Sequence, residues 1–284
     1  MIRFLGIYRE PICSPGRHRE NDTVILELVA DALEASGHHV ALASMDDAPR
    51  FGRDAAVVFS MSRSPRALDL LTRWVGEGRT VVNQPQAVLA TARSCLAGRT
   101  LGAVALPPAR VVPTSPERRP EIGQPIDIGG WWVKGGDLYA SRREDVQRVH
   151  TMEALGHVLD DFNRRGLSTA VLQQHVAGRE IKFYAVGSST FFHAIDVEET
   201  ASPSAAHDGF HQRATAAGLA LDLEIFGGDV VVGSDGSITL IDLNDWPSFA
   251  PCREPAAKAI AGYLEARSIG ITRDAGHIQH RVAE

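Results

Sequence analysis

The chain has 284 residues, of which 44% are hydrophobic and 23% charged, with a formal charge of −6. Interspersed acids and bases argue against a nucleic-acid partner held by an electrostatic footprint, and no apolar run approaches the ~20 residues of a membrane span. Three widely separated cysteines, Cys13, Cys95 and Cys252, signal neither a disulfide framework nor a zinc site. The start, MIRFLGIYRE, lacks the pattern of a secretory leader, so the expectation is a cytoplasmic protein of two or three compact units.

In chain order, Ile2–Tyr8 reads as a strand. Asn21–Ser36 carries apolar residues at helical spacing behind a cap at Asn21 or Asp22, and Gly37 stops that helix. His39–Ala43, Ala55–Phe59 and Thr80–Val82 read as strands, with a helix over Pro65–Val75. This is an open α/β pattern with a parallel sheet, whose ligands collect at the carboxyl ends of the strands. Two loops lie there, Arg9–Arg19 (REPICSPGRHR) and Ser60–Ser64 (SMSRS). Their hydroxyls, turn residues and arginines suit an anionic group; solvated loops with spare cations are the alternative. Neither a G-x-G-x-x-G after the first strand nor a G-x-x-x-x-G-K-[ST] is present, which speaks against a dinucleotide-binding Rossmann enzyme.

Gln86–Thr100 reads as helix and boundary, and Leu106–Pro125 as a linker with a short strand at Arg110–Val112. In GGWWVKGGDLYAS, Gly129–Ser141, Lys134 ends an apolar strand before Gly135 and Gly136. One cation thus sits beside a backbone that a ligand can approach closely. A phosphate is the obvious guest, and a snorkelling lysine the alternative. Glu144–Arg165 is predicted helical, its stripe of Leu155, Val158, Leu159 and Phe162 covering a sheet. Ala170–Val176 and Glu180–Val186 are predicted to form a hairpin around Ala177 and Gly178. Alternation puts Glu180, Lys182 and Tyr184 on one face of the second strand and Ile181 and Phe183 on the other. Phe191–Val197 continues the antiparallel series, Glu198–Asp208 is expected to be a mobile loop, and Phe210–Leu219 is helical. His207 and His211 have helical spacing but no third ligand at zinc distance, so they read as surface histidines. Pro255–Arg267 is a closing helix, followed from Ser268 by a loosely held tail.

The stretch GGDVVVGSDGSITLIDLNDWPSF, Gly227–Phe249, is the most informative. Asp229–Val232 and Ile238–Ile241 flank an Asp-Gly turn, a strong hairpin signal. With Asp235 and Gly236 as the turn, Ser234 faces Ser237 and Asp229 faces Asp242, while Asn244 shares the face of Asp242. Opposed residues have β-carbons roughly 4.5 to 5.5 Å apart, so two acids there repel. They ask for a counter-charge, for which Mg²⁺ with its oxygen ligands is the natural candidate. Strand-end acids capped by solvent are the alternative.

Taken in order, WWVKGG, LQQHVAGREIKFYAVG, GGDVVV and LIDLNDWPSF behind an open α/β unit resemble the ATP-grasp superfamily. The resemblance implies α/β plus α+β architecture: an N-terminal open parallel α/β domain (1–90), then a two-subdomain ATP-grasp fold with antiparallel sheets (91–170 and 171–284). It implies ATP and Mg²⁺ as cofactors. Lys134 and Lys182 then meet the phosphates, Gln174, His175 and Val176 form the hinge against adenine, and Glu180 holds ribose. Arg93 stands where many members keep a further ATP lysine, and Asp229, Asp242 and Asn244 match the metal triad. Asp242 replaces the glutamate common in peptide-forming ligases and is similar to the inositol-phosphate kinase branch; Ser248 replaces a frequent glycine, and the phosphate-covering loop, Gly135–Ser141, is short. The implied activity joins a small-molecule carboxylate to an amine through an acyl phosphate, with Arg9, Arg17 and Arg63 holding the carboxylate. A small-molecule kinase acting on a hydroxyl, and a nucleotide-binding protein without turnover, are the alternatives. None needs a side-chain nucleophile, in keeping with the lack of a convincing Ser-His-Asp or Cys-His arrangement.

Overall fold

The computed structural model describes residues 1–14, 17–102, 104–122, 129–136, 143–197 and 209–279. Its N-terminal part alternates β1 (Arg3–Ile7), α1 (Arg17–Ala35), β2 (His39–Ala43), α2 (Ala48–Phe51), β3 (Val57–Ser60), α3 (Pro65–Gly76) and β4 (Thr80–Val82). The strands form one parallel sheet in the order β2-β1-β3-β4. Parallel sheets need cover on both faces. Here Phe4, Val57 and Phe59 pack with Ile25, Leu26 and Val29 of α1, and Leu5, Ile7 and Val58 with Leu70, Leu71 and Trp74 of α3. Ser64 caps α3, its hydroxyl accepting from the Ala67 N–H at 3.2 Å, and Pro65 takes the first helical position. The predicted cap at Asn21 or Asp22 is not formed, because α1 begins at Arg17 and both residues lie inside it. Their side chains serve tertiary partners instead: Asp22 accepts from the Ser14 hydroxyl at 2.6 Å, and Asn21 from Arg253.

Two short helices, α4 (Pro85–Ala90) and α5 (Arg93–Leu96), and a small ladder of β5 (Thr100–Leu101) with β6 (Val104–Ala105) lead to the central sheet. That sheet comprises β7 (Ala109–Pro113), β8 (Trp131–Gly135), β9 (Val146–Val149), and, after α6 (Met152–Arg164), β10 (Thr169–Gln174), in the antiparallel order β7-β10-β8-β9. The helix predicted from Glu144 starts only at Met152. Val146 and Val149 instead complete the sheet edge, and Thr151 begins α6 by accepting from the Ala154 N–H at 3.1 Å. The stripe of Leu155, Val158, Leu159 and Phe162 does cover the sheet, against Val112, Trp131, Val133, Ala170 and Leu172.

The last sheet contains β11 (Arg179–Val186), β12 (Phe191–Asp196), then, after α7 (Phe210–Leu219), β13 (Ile225–Val232) and β14 (Ile238–Asp245), in the order β12-β11-β13-β14. The hairpin predicted around Ala177 and Gly178 does not exist, since β10 belongs to the central sheet and β11 to this one. β11 pairs along its whole length with β13 and buries Ile181 and Phe183 in the core of this sheet, a larger gain than a local turn offers. At the crossing, Gly178 has φ +152°, and any β-carbon there would collide with the Val232 carbonyl. Leu96, Leu101, Val104 and Leu106 share this core with Phe210 and Ala214 of α7. The start of the second expected segment therefore packs with the third.

α8 (Arg253–Gln279) continues past the predicted end at Arg267. Its Ala256, Ile260 and Leu264 pack between α1 and the Tyr184, Val186 and Ile225 side of the last sheet. Buried Asn83, just after β4, joins the same two units: its amide donates to the Ile225 carbonyl at 2.7 Å, and its oxygen accepts from the Glu224 and Ile225 N–H groups at 2.8 Å each. Residues 198–208, expected to be a loop and containing His207, lie outside the described residues, as does most of the expected phosphate-covering loop. Among the described residues, no helix is long and apolar enough to cross a membrane.

Candidate functional site

Asp229 does face Asp242, but by a route the residues alone did not indicate. The loop is a residue longer than expected: Gly233 N–H donates to the Ser237 carbonyl at 2.9 Å, and Gly236 takes φ +78°. Val230, Val231 and Val232 therefore pair with Leu240, Thr239 and Ile238, one step out of the predicted register. A bulge at Ile241 then restores it, so that Asp229 meets Asp242 and Gly227 meets Asn244.

The restored register creates a row across three strands. Lys182 on β11 lies opposite Asp229 on β13, which lies opposite Asp242 on β14, and Lys182 forms an ion pair with Asp229. The bulge also points the Ile241 carbonyl at the central sheet, where it accepts from the Lys134 ammonium at 3.1 Å and the Gln173 amide at 3.3 Å. Lys134 reaches it because β8 alternates: Trp131 and Val133 are buried against α6, and Trp132 and Lys134 occupy the other face. Arg93, from α5, donates to the Gly135 carbonyl at 3.3 Å. Arg93, Lys134, Gln173, Ile241 and Asp242 line a narrow crevice between the two antiparallel sheets.

The acids are unequal. Burial pushes the Asp242 carboxyl up, but Lys134, Arg93, Lys182 and the Leu243 N–H outweigh it and hold it below its ordinary value. For Asp229, burial prevails over Lys182, and the charges of Asp242 and Glu180 add to it, so its carboxyl is raised. Burial likewise lowers Lys134 against the opposing pull of Asp242, Asp229 and Glu180. The two carboxylates and the Asn244 carboxamide are oxygen donors of the kind that Mg²⁺ takes. Among the described residues, no group of three His, Cys, Asp or Glu is arranged to hold a metal.

Along the hinge, the Gln174 N–H is bonded to the Pro108 carbonyl at 2.9 Å and the His175 N–H to that of Gly130 at 3.3 Å. The Trp132 indole N–H donates to His175 Nδ1 at 3.2 Å. Burial, with Arg148 and His150 nearby, lowers the pKa of His175. Val176 follows in the crossing to β11, and Glu180 lies near its start, close enough for its charge to act on Lys134 and Asp229.

This architecture recurs in solved structures. D-alanine–D-alanine ligase from Bacillus anthracis, complexed with ATP, aligns over 97% of this chain and 100% of its own with a TM-score of 0.69 at 12% identity. A RimK domain ATP-grasp protein from Sphaerobacter thermophilus aligns over 92% and 99%, with a TM-score of 0.64 at 18% identity. The ATP-grasp ligase PsnB, complexed with a phosphomimetic variant of its minimal precursor, Mg and ADP, aligns over 93% and 97%, with a TM-score of 0.63 at 16% identity.

The chain has the ATP-grasp fold.

No family model matches the sequence, and no curated protein matches it. The ATP-grasp sheets bring together Lys134, Lys182, Arg93, Asp229 and Asp242, and place Asn244 beside them. The arginines of the N-terminal loops are set differently. Arg9 Nε pairs with Asp22 at 3.0 Å and its Nη2 donates to the Trp246 carbonyl at 2.7 Å. Arg63 Nη1 pairs with Asp245 at 2.8 Å and Nη2 donates to the Thr91 hydroxyl at 3.3 Å; burial lowers its pKa to about 10 although Asp245 opposes the shift. The Arg17 side chain lies outside what is described, and His211 stacks on Phe192 with ring centroids 4.2 Å apart.

Four contributors escaped the sequence reading: Gln173, the Ile241 carbonyl, Glu10 and Asp245. Gln173 and Asp245 left a trace, each being a polar residue inside an apolar strand. Glu10 accepts from the Ser62 hydroxyl at 2.5 Å and from the Arg63 and Ser64 N–H groups at 3.1 and 3.2 Å. Burial raises its pKa, but these bonds outweigh burial and leave it lowered.

Proposed function

We propose that the chain is an ATP-dependent ligase that joins a small-molecule carboxylate to an amine and releases ADP and phosphate. The observation that carries this reading is the row Lys182–Asp229–Asp242 meeting Lys134 from the opposite sheet. Two lysines and two acids from separate elements converge where no structural ion pair requires all four. The likeness to structures complexed with ATP, and with Mg and ADP, supports a nucleotide as occupant.

In this reading Asp229, Asp242 and Asn244 would hold Mg²⁺, which when bound neutralises phosphate oxygens and so eases nucleophilic attack at phosphorus. Lys134 and Lys182 clamp phosphate oxygens from the two sheets, with Arg93 beside Lys134, and positioning does most of the work. Gln174, His175 and Val176 border the base, and Glu180 the ribose. The substrate carboxylate attacks the γ-phosphorus, breaking its bond to the bridging oxygen of ADP and forming an acyl phosphate. The amine then attacks the carbonyl carbon, loses a proton and expels phosphate.

The test is turnover of ATP and Mg²⁺ by purified protein with pooled carboxylates, amino acids, polyamines and polyols. Phosphate release that requires both an amine and a carboxylate is expected. Transfer to a polyol without release would identify a kinase instead, the reading that the likeness of Asp242-x-Asn244 to inositol-phosphate kinases favours. No turnover would identify a nucleotide-binding protein.

A further inference from the structure

We propose that Arg63 is a positioning residue for the metal-binding strand: from the N-terminal domain it grips Asp245 and so fixes the short strand end that carries Asp242 and Asn244. The inference rests on the nucleotide–Mg²⁺ reading above and assigns Arg63 to the protein rather than to a substrate carboxylate.

The strand end needs an external hold. Among the described strands, β14 is the outermost of its sheet and forms a ladder with β13 alone. The bulge at Ile241 interrupts the ladder on one side of Asp242, and on the other the strand stops at Trp246, whose φ is +35°. The segment from Asp242 to Asp245 keeps the restored register, and the Trp246 N–H extends it by donating to the Ile225 carbonyl at 3.0 Å, with one partner strand to define it. Burial of Leu243 sets the register of this segment, but few ladder bonds fix the position of its end.

The N-terminal loops supply the constraint. Arg63 and Asp245 are only 8% and 1% exposed, at 2.8 Å, so their pairing is little weakened by solvent. Breaking it strands a buried charge. Arg9 adds a second grip on the next residue through the Trp246 carbonyl. Glu10 fixes the loop that carries Arg63, accepting from Ser62, Arg63 and Ser64. Both guanidinium ends of Arg63 thus meet groups of the chain itself, Asp245 and Thr91. Partners that orient metal ligands without touching the metal affect its affinity strongly.

The test is titration of the full-length protein with Mn²⁺ in the presence of ADP, read by electron paramagnetic resonance of free Mn²⁺, with ADP affinity in chelator measured alongside. Arg63→Gln and Asp245→Asn are each expected to weaken Mn²⁺ binding by about tenfold or more, with metal-free ADP affinity unchanged. Fewer sites at an unmoved Mn²⁺ midpoint would mean a role in stability alone and would overturn the proposal. So would a wild-type midpoint in Arg63→Gln. Where Arg63→Gln does not fold, Arg63→Lys keeps the charge and one donor; a weaker midpoint supports the proposal and an unchanged one overturns it. Wild-type protein that binds no Mn²⁺ with ADP sinks the metal reading and this inference together, whereas normal wild-type binding with unmoved variants sinks this inference alone.

Discussion

The N-terminal loops and the cleft between the antiparallel sheets are both built from arginines or lysines beside acids, yet they hold charge in opposite ways. In the loops Arg9 meets Asp22 and Arg63 meets Asp245, and Glu10 is satisfied by N–H and hydroxyl donors. In the cleft, Asp229 and Asp242 face each other while cations arrive from three other elements; burial raises both carboxyls, and only at Asp242 do the cations and the Leu243 N–H outweigh it. Matched pairs stitch domains together. Like charges brought face to face draw on cations from several elements.

The contrast breaks first at Lys134. Lys134→Met is expected to lower ATP turnover by about a hundredfold or more, as removal of a charge-stabilising donor does, with the unfolding midpoint near wild type; steady-state kinetics and a urea melt check both halves. Arg63→Ala is expected to differ by losing about 3 to 5 kcal/mol of stability along with metal affinity, because the buried Asp245 loses its guanidinium partner. A substitution there that changed substrate affinity but not the denaturation curve would erase the distinction between the two regions.

Glu10 sharpens the comparison through pH. Its carboxyl is lowered from the ordinary 4.5 in the folded protein, so its stabilising contribution is present above that value and is lost as pH falls through the lower, folded one. The stability difference between wild type and Glu10→Gln is therefore expected to be constant near neutrality and to shrink on the acid limb. Parallel stability profiles down to low pH would contradict this.

Much of this was legible in the residues. Alternation placed Lys182 on the face opposite the core-facing Ile181 and Phe183, and the parallel sheet followed from the alternation of strand and helix. The facing of Asp229 and Asp242 was anticipated through two departures that cancel, a longer loop and a bulge. Their trace is the three-residue spacing of buried Leu240 and Leu243 where simple alternation would give two. The absent hairpin at Ala177 and Gly178 shows what local signals omit: the turn chemistry is suitable, but which sheet a strand joins depends on a partner, β13, some forty residues away in the chain. The arginine-bearing loops were read as suited to an anion, and they do hold anions, Glu10 and Asp245. Composition cannot tell an internal carboxylate from a substrate's, because the chemistry of the contact is the same.

The central claim is that Asp229, Asp242 and Asn244 form a metal site beside a nucleotide. Calorimetric titration of wild-type protein and of Asp242→Ala with ADP, each with and without Mg²⁺, tests it most directly. Wild-type affinity is expected to rise by about tenfold or more on adding Mg²⁺, and Asp242→Ala to show no such rise while still binding ADP without metal. A Mg²⁺ dependence that is the same in both proteins would contradict the account.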